Sequence, residues 1–148
     1  MKELQKLITN LKNAKKALDL DLILYRVVQI PRVQRKIIQL NQKQLKKGLD
    51  SSNRLLSSYK PYSEMYAKKK GSQLVDLNVD GNFYDTFEVR NTTKGFTIIA
   101  NTSIYDVEFT DIYGKDIIGL SERSLNELGE FMKPYIIKEI YEILQFNN

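Results

Sequence analysis

GNFYDTFEVRNTTKGFTIIA, residues 81–100, is the most informative stretch of this chain. Phe83, Phe87 and Val89 fall on one side of an extended backbone, and Thr86, Glu88 and Arg90 on the other. That two-residue period predicts a half-buried strand. Asn91 to Gly95 supplies a turn, and GFTIIA returns as the second arm of a hairpin. Downstream, SIYDVEFT (103–110) alternates as well and puts Tyr105, Val107 and Phe109 on one face. With LVDLN (74–78) upstream, the pattern predicts a sheet of three or four antiparallel strands.

Outside this region the period lengthens to that of a helix. Leu4, Leu7, Ile8, Leu11, Ala14 and Leu18 recur at three- and four-residue steps, which predicts a helix from Lys2 to Leu18 with one apolar stripe. LDLILYRVVQI (20–30) crowds Leu22, Ile23, Leu24, Val27, Val28 and Ile30 together. Such a run reads as a short buried helix, although length alone does not separate it from a strand. Pro31 ends that element or opens the next. Val33, Ile37, Ile38 and Leu45 suit a further helix, with Gly48 as its C-terminal cap. The segment from Gly48 to Gly71 reads as a long connection broken by Gly, Ser, Asp and Pro, with a helical turn or two between Ser63 and Lys69.

The last helix starts after Ser121, a good N-cap, and carries Leu125, Leu128, Met132, Ile136, Ile140 and Ile143 or Leu144 as its stripe. Pro134 is expected to kink or split it. The expected architecture is therefore α+β: N-terminal helices, the antiparallel sheet, and a long C-terminal helix packed on it. A chain of 148 residues suits a single domain. Its parts are a helical region (1–48), a connection (49–72), and the sheet with its closing helix (73–148).

Composition narrows the chemistry. Hydrophobic residues make up 42% of the chain, enough for a core. There is no cysteine, which excludes disulfides, thiolate metal sites and cysteine nucleophiles. There is no histidine either, which removes the commonest general base and the commonest metal ligand. Paired carboxylates are the acid–base arrangement that composition leaves available, but most acids fall at solvent-facing positions. The expectation is a non-enzymatic protein without a cofactor. No run approaches the ~18 apolar residues of a membrane span, and the first residues intersperse apolar positions with lysines rather than forming a signal-peptide core. A reducing, cytoplasm-like compartment and no membrane partner are expected.

Net charge is +5, unevenly distributed. Residues 1–70 hold 17 Lys/Arg against 5 Asp/Glu, a balance of +12; the remaining 78 hold 6 against 13, a balance of −7. Such asymmetry fits a half that faces nucleic acid, a surface that meets its opposite on a neighbouring subunit, or simply lysine-rich solvated helix faces.

Three local patterns bear on function. Asp76-x-Asn78-x-Asp80-Gly81 matches the first half of a helix–loop–helix calcium loop, but its twelfth position is Phe87, with the acid one residue late at Glu88. A tight connection using Asp80-Gly81 explains it better. Gly119-Leu-Ser-Glu-Arg123 is similar to a nucleophile elbow but lacks the second glycine, and helix capping accounts for Ser121. Finally, Tyr59, Tyr62 and Tyr66 interleave with Lys60, Lys68, Lys69 and Lys70. Such a mixture suits a protein interface, where tyrosines bury area at low entropic cost, and also suits base stacking with phosphate neutralisation.

Over residues 40–140 the chain resembles a family of small structural proteins of tailed phages and prophages of Bacteroidetes, crAss-like phages included. LNQKQLKKGLDSSNRLLSSYKPYSEMYAKKKG matches their central segment, with its "LN…QL…GxDS" opening. VDLNVDGNFYDTFEV is similar to their "TGDFYxSF" block, and YGKDIIGLSERSLNELGEFMKPYI to their closing "YGxxIxGLTxENLxxL" block. The sequence departs from that pattern with Val79-Asp80 before Gly81 and with Ser121 in place of threonine. More distantly it resembles tail-completion and minor-tail proteins of long-tailed phages. The resemblance implies a virion protein, present in the host cytoplasm during assembly. Its implied role is a head–tail connector, neck or tail-completion subunit in a ring of six or twelve copies. Portal, neck or tail proteins would flank the ring, and genomic DNA would pass through it. The resemblance carries over no catalytic residue.

Overall fold

A computed structural model of the chain describes residues 2–17 and 19–146. Among them are seven α-helices: α1 (Lys2–Ala17), α2 (Leu20–Val28), α3 (Pro31–Lys46), α4 (Glu64–Lys70), α5 (Asn82–Asp85), α6 (Phe109–Tyr113) and α7 (Glu122–Phe146). The strands are β1 (Glu88–Thr92), β2 (Gly95–Ile99), β3 (Ser103–Ile104) and β4 (Val107–Glu108). The α+β class and the long C-terminal helix follow the sequence reading; Leu18, its proposed end for the first helix, lies outside the described residues.

The central helices form where periodicity places them. The run at 20–28 is a helix, opened by Asp19, whose carboxylate accepts from Asp21 N and Leu22 N at 3.0 and 3.3 Å. Pro31 sits in the first turn of α3, where its missing N–H costs nothing. Val33, Ile37, Leu40 and Leu45 carry α3 into the core. At its end Gly48 takes a φ of 72°, with Leu49 N bonded to Gln44 O at 3.1 Å and Gly48 N to Leu45 O at 2.8 Å. These two bonds make a Schellman cap. The positive φ calls for glycine there; a Cβ would also meet the movable end of the Leu74 side chain at 2.7 Å and Val75 O at 3.3 Å. α2 and α3 pack on α7 and also on the β1–β2 hairpin. Ile23, Val27, Ile37, Leu56, Ile117 and Leu128 belong to the one core they share with that hairpin.

The predicted sheet of three or four strands is not what forms. β1 and β2 pair antiparallel, from Glu88↔Ile99 to Thr92↔Gly95, while β3 and β4 make a separate hairpin of two residue pairs. Three local causes account for the difference. First, NFYD turns as helix α5 before the strand begins. Phe83 and Phe87 are four residues apart, a spacing that serves a helical turn as well as a strand. The turn is started by Asp80, which accepts from Asn82 N at 3.0 Å, and by Gly81 at φ 87°. Second, Tyr105 and Asp106 both adopt positive φ, 52° and 59°, the geometry of a two-residue hairpin loop. Phe109 therefore enters α6 and the core rather than sharing a strand face with Tyr105, which is exposed. Third, LVDLN buries Val75 and Leu77 but pairs with no strand, and Leu77 has φ 56°.

α7 begins as expected: Ser121 Oγ accepts from Ser124 N at 3.3 Å. It runs through Pro134 as one helix rather than splitting. Its buried stripe starts at Leu128, since Leu125 is half exposed.

The segment 117–121 is held by two buried amides of α3. Asn41 Nδ2 donates to Ile117 O at 3.0 Å, and its Oδ1 accepts from Gly119 N at 2.8 Å. Gln44 Nε2 donates to Gly119 O at 3.0 Å, and its Oε1 accepts from Ser121 N at 2.7 Å. Two side chains thus do for this segment what a neighbouring strand does elsewhere, satisfying buried backbone groups in donor–acceptor pairs.

Candidate interaction site

The aromatic and basic residues at 59–70 divide into two sets. Tyr59, Tyr62 and Lys70 are engaged within the molecule. Tyr59 OH donates to Asp50 Oδ2 at 3.2 Å, and its ring lies under the Arg54 guanidinium at 5.4 Å. Asp50 is fully buried and also accepts from Ser52 N and Arg54 N, each at 2.9 Å. Arg54 reaches on to Asp116 at 2.7 Å, tying the loop to the segment before α7. Tyr62 OH donates to Asp76 Oδ1 at 3.3 Å and accepts from Leu77 N at 3.2 Å. Burial, then the Asp76 charge, pushes its phenol up, against the opposing pull of Lys70.

The Lys70 ammonium pairs with Asp76, donates to Asn78 O at 2.9 Å and sits over the Tyr62 ring at 5.2 Å. Burial works to lower its pKa, but the Asp76 hydrogen bond together with the charges of Tyr62, Asp76 and Tyr66 outweighs that and holds it above the ordinary lysine value. The Asp76 carboxylate, which a calcium loop presents to a metal, here faces an internal ammonium. Among the described residues no group of three or more acidic side chains is placed to hold a metal ion.

Lys60, Lys68 and Lys69 form the second set. They are exposed, and among the described residues they make no ion pair. Tyr66 is half-buried, edge-on to Tyr62 at 4.7 Å. Ser63 caps α4 by accepting from Tyr66 N at 3.2 Å, so the helical turns at 63–69 form where expected. Ser121, the residue of the elbow-like motif, is buried, and its hydroxyl donates to Ser124 Oγ at 3.2 Å.

Two further surfaces stand out. Every described side chain of α1 except that of Asn10 is exposed, including Leu4 (56%), Leu7 (55%) and Ile8 (42%). α1 touches its own chain chiefly along α7. Sequence periodicity finds the apolar stripe, but only the fold reveals that these three positions face water. The second surface lies around the β3–β4 turn. Tyr105 OH donates to Asp80, and Asn82 Nδ2 reaches Tyr105 Oη at 3.0 Å, so the turn is fastened to the start of α5. The Tyr105 hydrogen bond, aided by Asn82 N, holds the Asp80 carboxyl below its ordinary value. Val79, Tyr105 and Val107 are exposed here beside Asp80, Asp85 and Asp106. Neither surface is signalled by a motif; the second joins residues some 25 positions apart.

No helix among the described residues is long and apolar enough to cross a membrane. Comparison with protein-family models, with curated proteins and with solved structures finds no match to this chain.

Proposed function

We propose that this chain is a structural subunit of a tailed-phage virion, a head–tail connector, neck or tail-completion protein. It acts without catalysis, by contact with further copies of itself in a ring of six or twelve and with portal, neck or tail proteins. One observation carries the reading. Apolar side chains of α1 and α2 stand in water within a basic half of charge +12, while the other half of the same chain carries −7. Exposed apolar surface rimmed by charge marks a contact that is completed by a partner. A head-to-tail contact of unlike halves generates a ring when its rotation closes. The blocks that carry the phage resemblance add support, because LNQKQL and IIGLS meet in the Asn41–Gln44 clamp and so form one structural unit.

Negative-stain microscopy of the purified protein at micromolar concentration tests the assembly, and mass spectrometry of purified particles tests the location. Rings together with copies in the virion are expected. A strictly monomeric protein absent from particles rules the reading out.

A second reading, a small nucleic-acid-binding protein, is favoured by exposed Lys60, Lys68 and Lys69 beside Tyr66. It has less to work with than the sequence suggests, since Tyr59, Tyr62 and Lys70 are committed to Asp50 and Asp76. No binding of duplex or single strands at low salt disposes of it.

A further inference from the structure

We infer that the α1 face bearing Leu4, Leu7 and Ile8 docks onto the acidic patch of Val79, Asp80, Tyr105, Asp106 and Val107 on a second copy of this chain. The inference rests on the homo-oligomer reading above and names the two surfaces that meet.

Both surfaces lie in one molecule. α1 has five lysines (Lys2, Lys6, Lys12, Lys15 and Lys16) against Glu3 alone, and Leu4, Leu7 and Ile8 are left in water. An isolated helix of 16 residues is marginal in water and draws most of its stability from covering an apolar face. The complement is the least basic region of the chain. From Gly71 to Gly114 there are seven acids, of which Asp76 is paired with Lys70 and the other six are Asp80, Asp85, Glu88, Asp106, Glu108 and Asp111; the only bases within this span are Arg90 and Lys94. Both of those lie on the other hairpin, in β1 and its turn. Within this acidic region the exposed apolar side chains Val79, Tyr105 and Val107 offer contact area for α1.

The patch is also held in shape before any partner arrives. Tyr105 and Asp106 stay in left-handed conformations, which non-glycine residues rarely adopt, with the Tyr105 hydroxyl fastened to Asp80. A deeper apolar groove runs between α2, β2 and α7, lined by Leu24, Phe96, Leu125 and Met132. Its one charged lining residue is Lys94, of the same sign as α1, so charge selects the acidic patch over the groove.

Because the two surfaces differ, the contact is heterologous. Each copy offers one α1 and one patch, and closure of the series gives a ring. A helix 16 residues long spans about 24 Å. One helix face covers less than the roughly 800 Å² per partner of a standard interface. Assembly through this contact is therefore dependent on concentration and on salt.

Sedimentation velocity on the full chain tests the pairing. The variants are Leu4→Asp/Leu7→Asp on α1 and Val79→Lys/Val107→Lys on the patch, all at exposed positions, with circular dichroism to verify the fold. Each variant alone should associate at least about tenfold more weakly than the parent chain. The two mixed should form a dimer and no larger species, because only one intact α1 and one intact patch remain. A parent chain that is monomeric at every concentration defeats the oligomer reading itself. A parent that assembles while both variants assemble equally well overturns only this pairing. So does loss of assembly on Leu125→Lys with the patch variant unaffected. Binding of α1 to anionic vesicles by a chain that assembles without using α1 likewise overturns it.

Discussion

The carboxamides of Asn41 and Gln44 each donate to one backbone carbonyl and accept from one backbone N–H, all at 3.0 Å or less. Asn41→Leu keeps the branched shape and number of heavy atoms but strands Ile117 O and Gly119 N away from water. A buried polar group without a partner costs about 1–3 kcal/mol. The expected loss is therefore about 2–5 kcal/mol, read as a lower denaturant midpoint at unchanged slope. Tyr84 sets a different limit. Its hydroxyl donates to Asp76 O at 2.6 Å, and burial, followed by the Asp76 charge, raises the phenol far above its ordinary value. A raised folded-state pKa gives a contribution that is complete below the unfolded value of about 10 and fades as pH climbs towards the folded one. Stability should therefore fall above about pH 10, and Tyr84→Phe should flatten that fall while costing about 1 kcal/mol at neutral pH. Denaturant titrations at pH 8 and pH 11 read both effects.

At the level of elements, α3 and α7 are joined at the surface by Lys36 and Glu127 at 2.8 Å, with Lys43 at 3.5 Å from the same carboxylate. The Lys36 hydrogen bond holds the Glu127 carboxyl below its ordinary range, against a smaller opposing effect of burial. A depressed carboxylate contributes above its unfolded value, about 4.3, and loses that contribution as pH falls through the folded one. Glu127→Gln should therefore reduce the acid sensitivity of unfolding. At neutral pH it should change stability by less than about 1 kcal/mol, because the pair is partly exposed. Thermal melts between pH 3 and 7 decide it. The same helices were legible in sequence, because Val33, Ile37 and Leu45, or Leu128, Met132 and Ile136, recur at helical steps and tertiary packing uses that face. The strands were less so. A spacing of four between Phe83 and Phe87 fits two geometries, and no glycine or asparagine announces the left-handed turn at Tyr105-Asp106. The candidate site was half legible. Pattern reading found its tyrosines and lysines, but Asp50 and Asp76, nine residues before Tyr59 and six after Lys70, claim three of the seven.

For the whole molecule, the separation of charge into +12 and −7 makes association sensitive to ions. Screening shortens from about 10 Å at 0.1 M salt to about 3 Å at 1 M. Assemblies formed in dilute buffer should therefore shrink towards monomers as salt rises, and light scattering across a salt series measures this. A nucleic-acid complex made through Lys68 and Lys69 would weaken with salt too, but substituting both would reduce its logarithmic slope by roughly 2, which separates the two cases. The clamp has one further consequence, for the order of events during synthesis. Asn41 leaves the ribosome long before the stretch it grips, which lies 76 residues further on. Contacts so distant along the chain form late. A nascent polypeptide halted at residue 110 carries an α3 whose amides have only water to bind, and limited proteolysis of such stalled chains should cut within the first fifty residues. Once residues 117–121 emerge that susceptibility should vanish in one step, so protease resistance in the first fifty residues waits for the segment that the clamp grips.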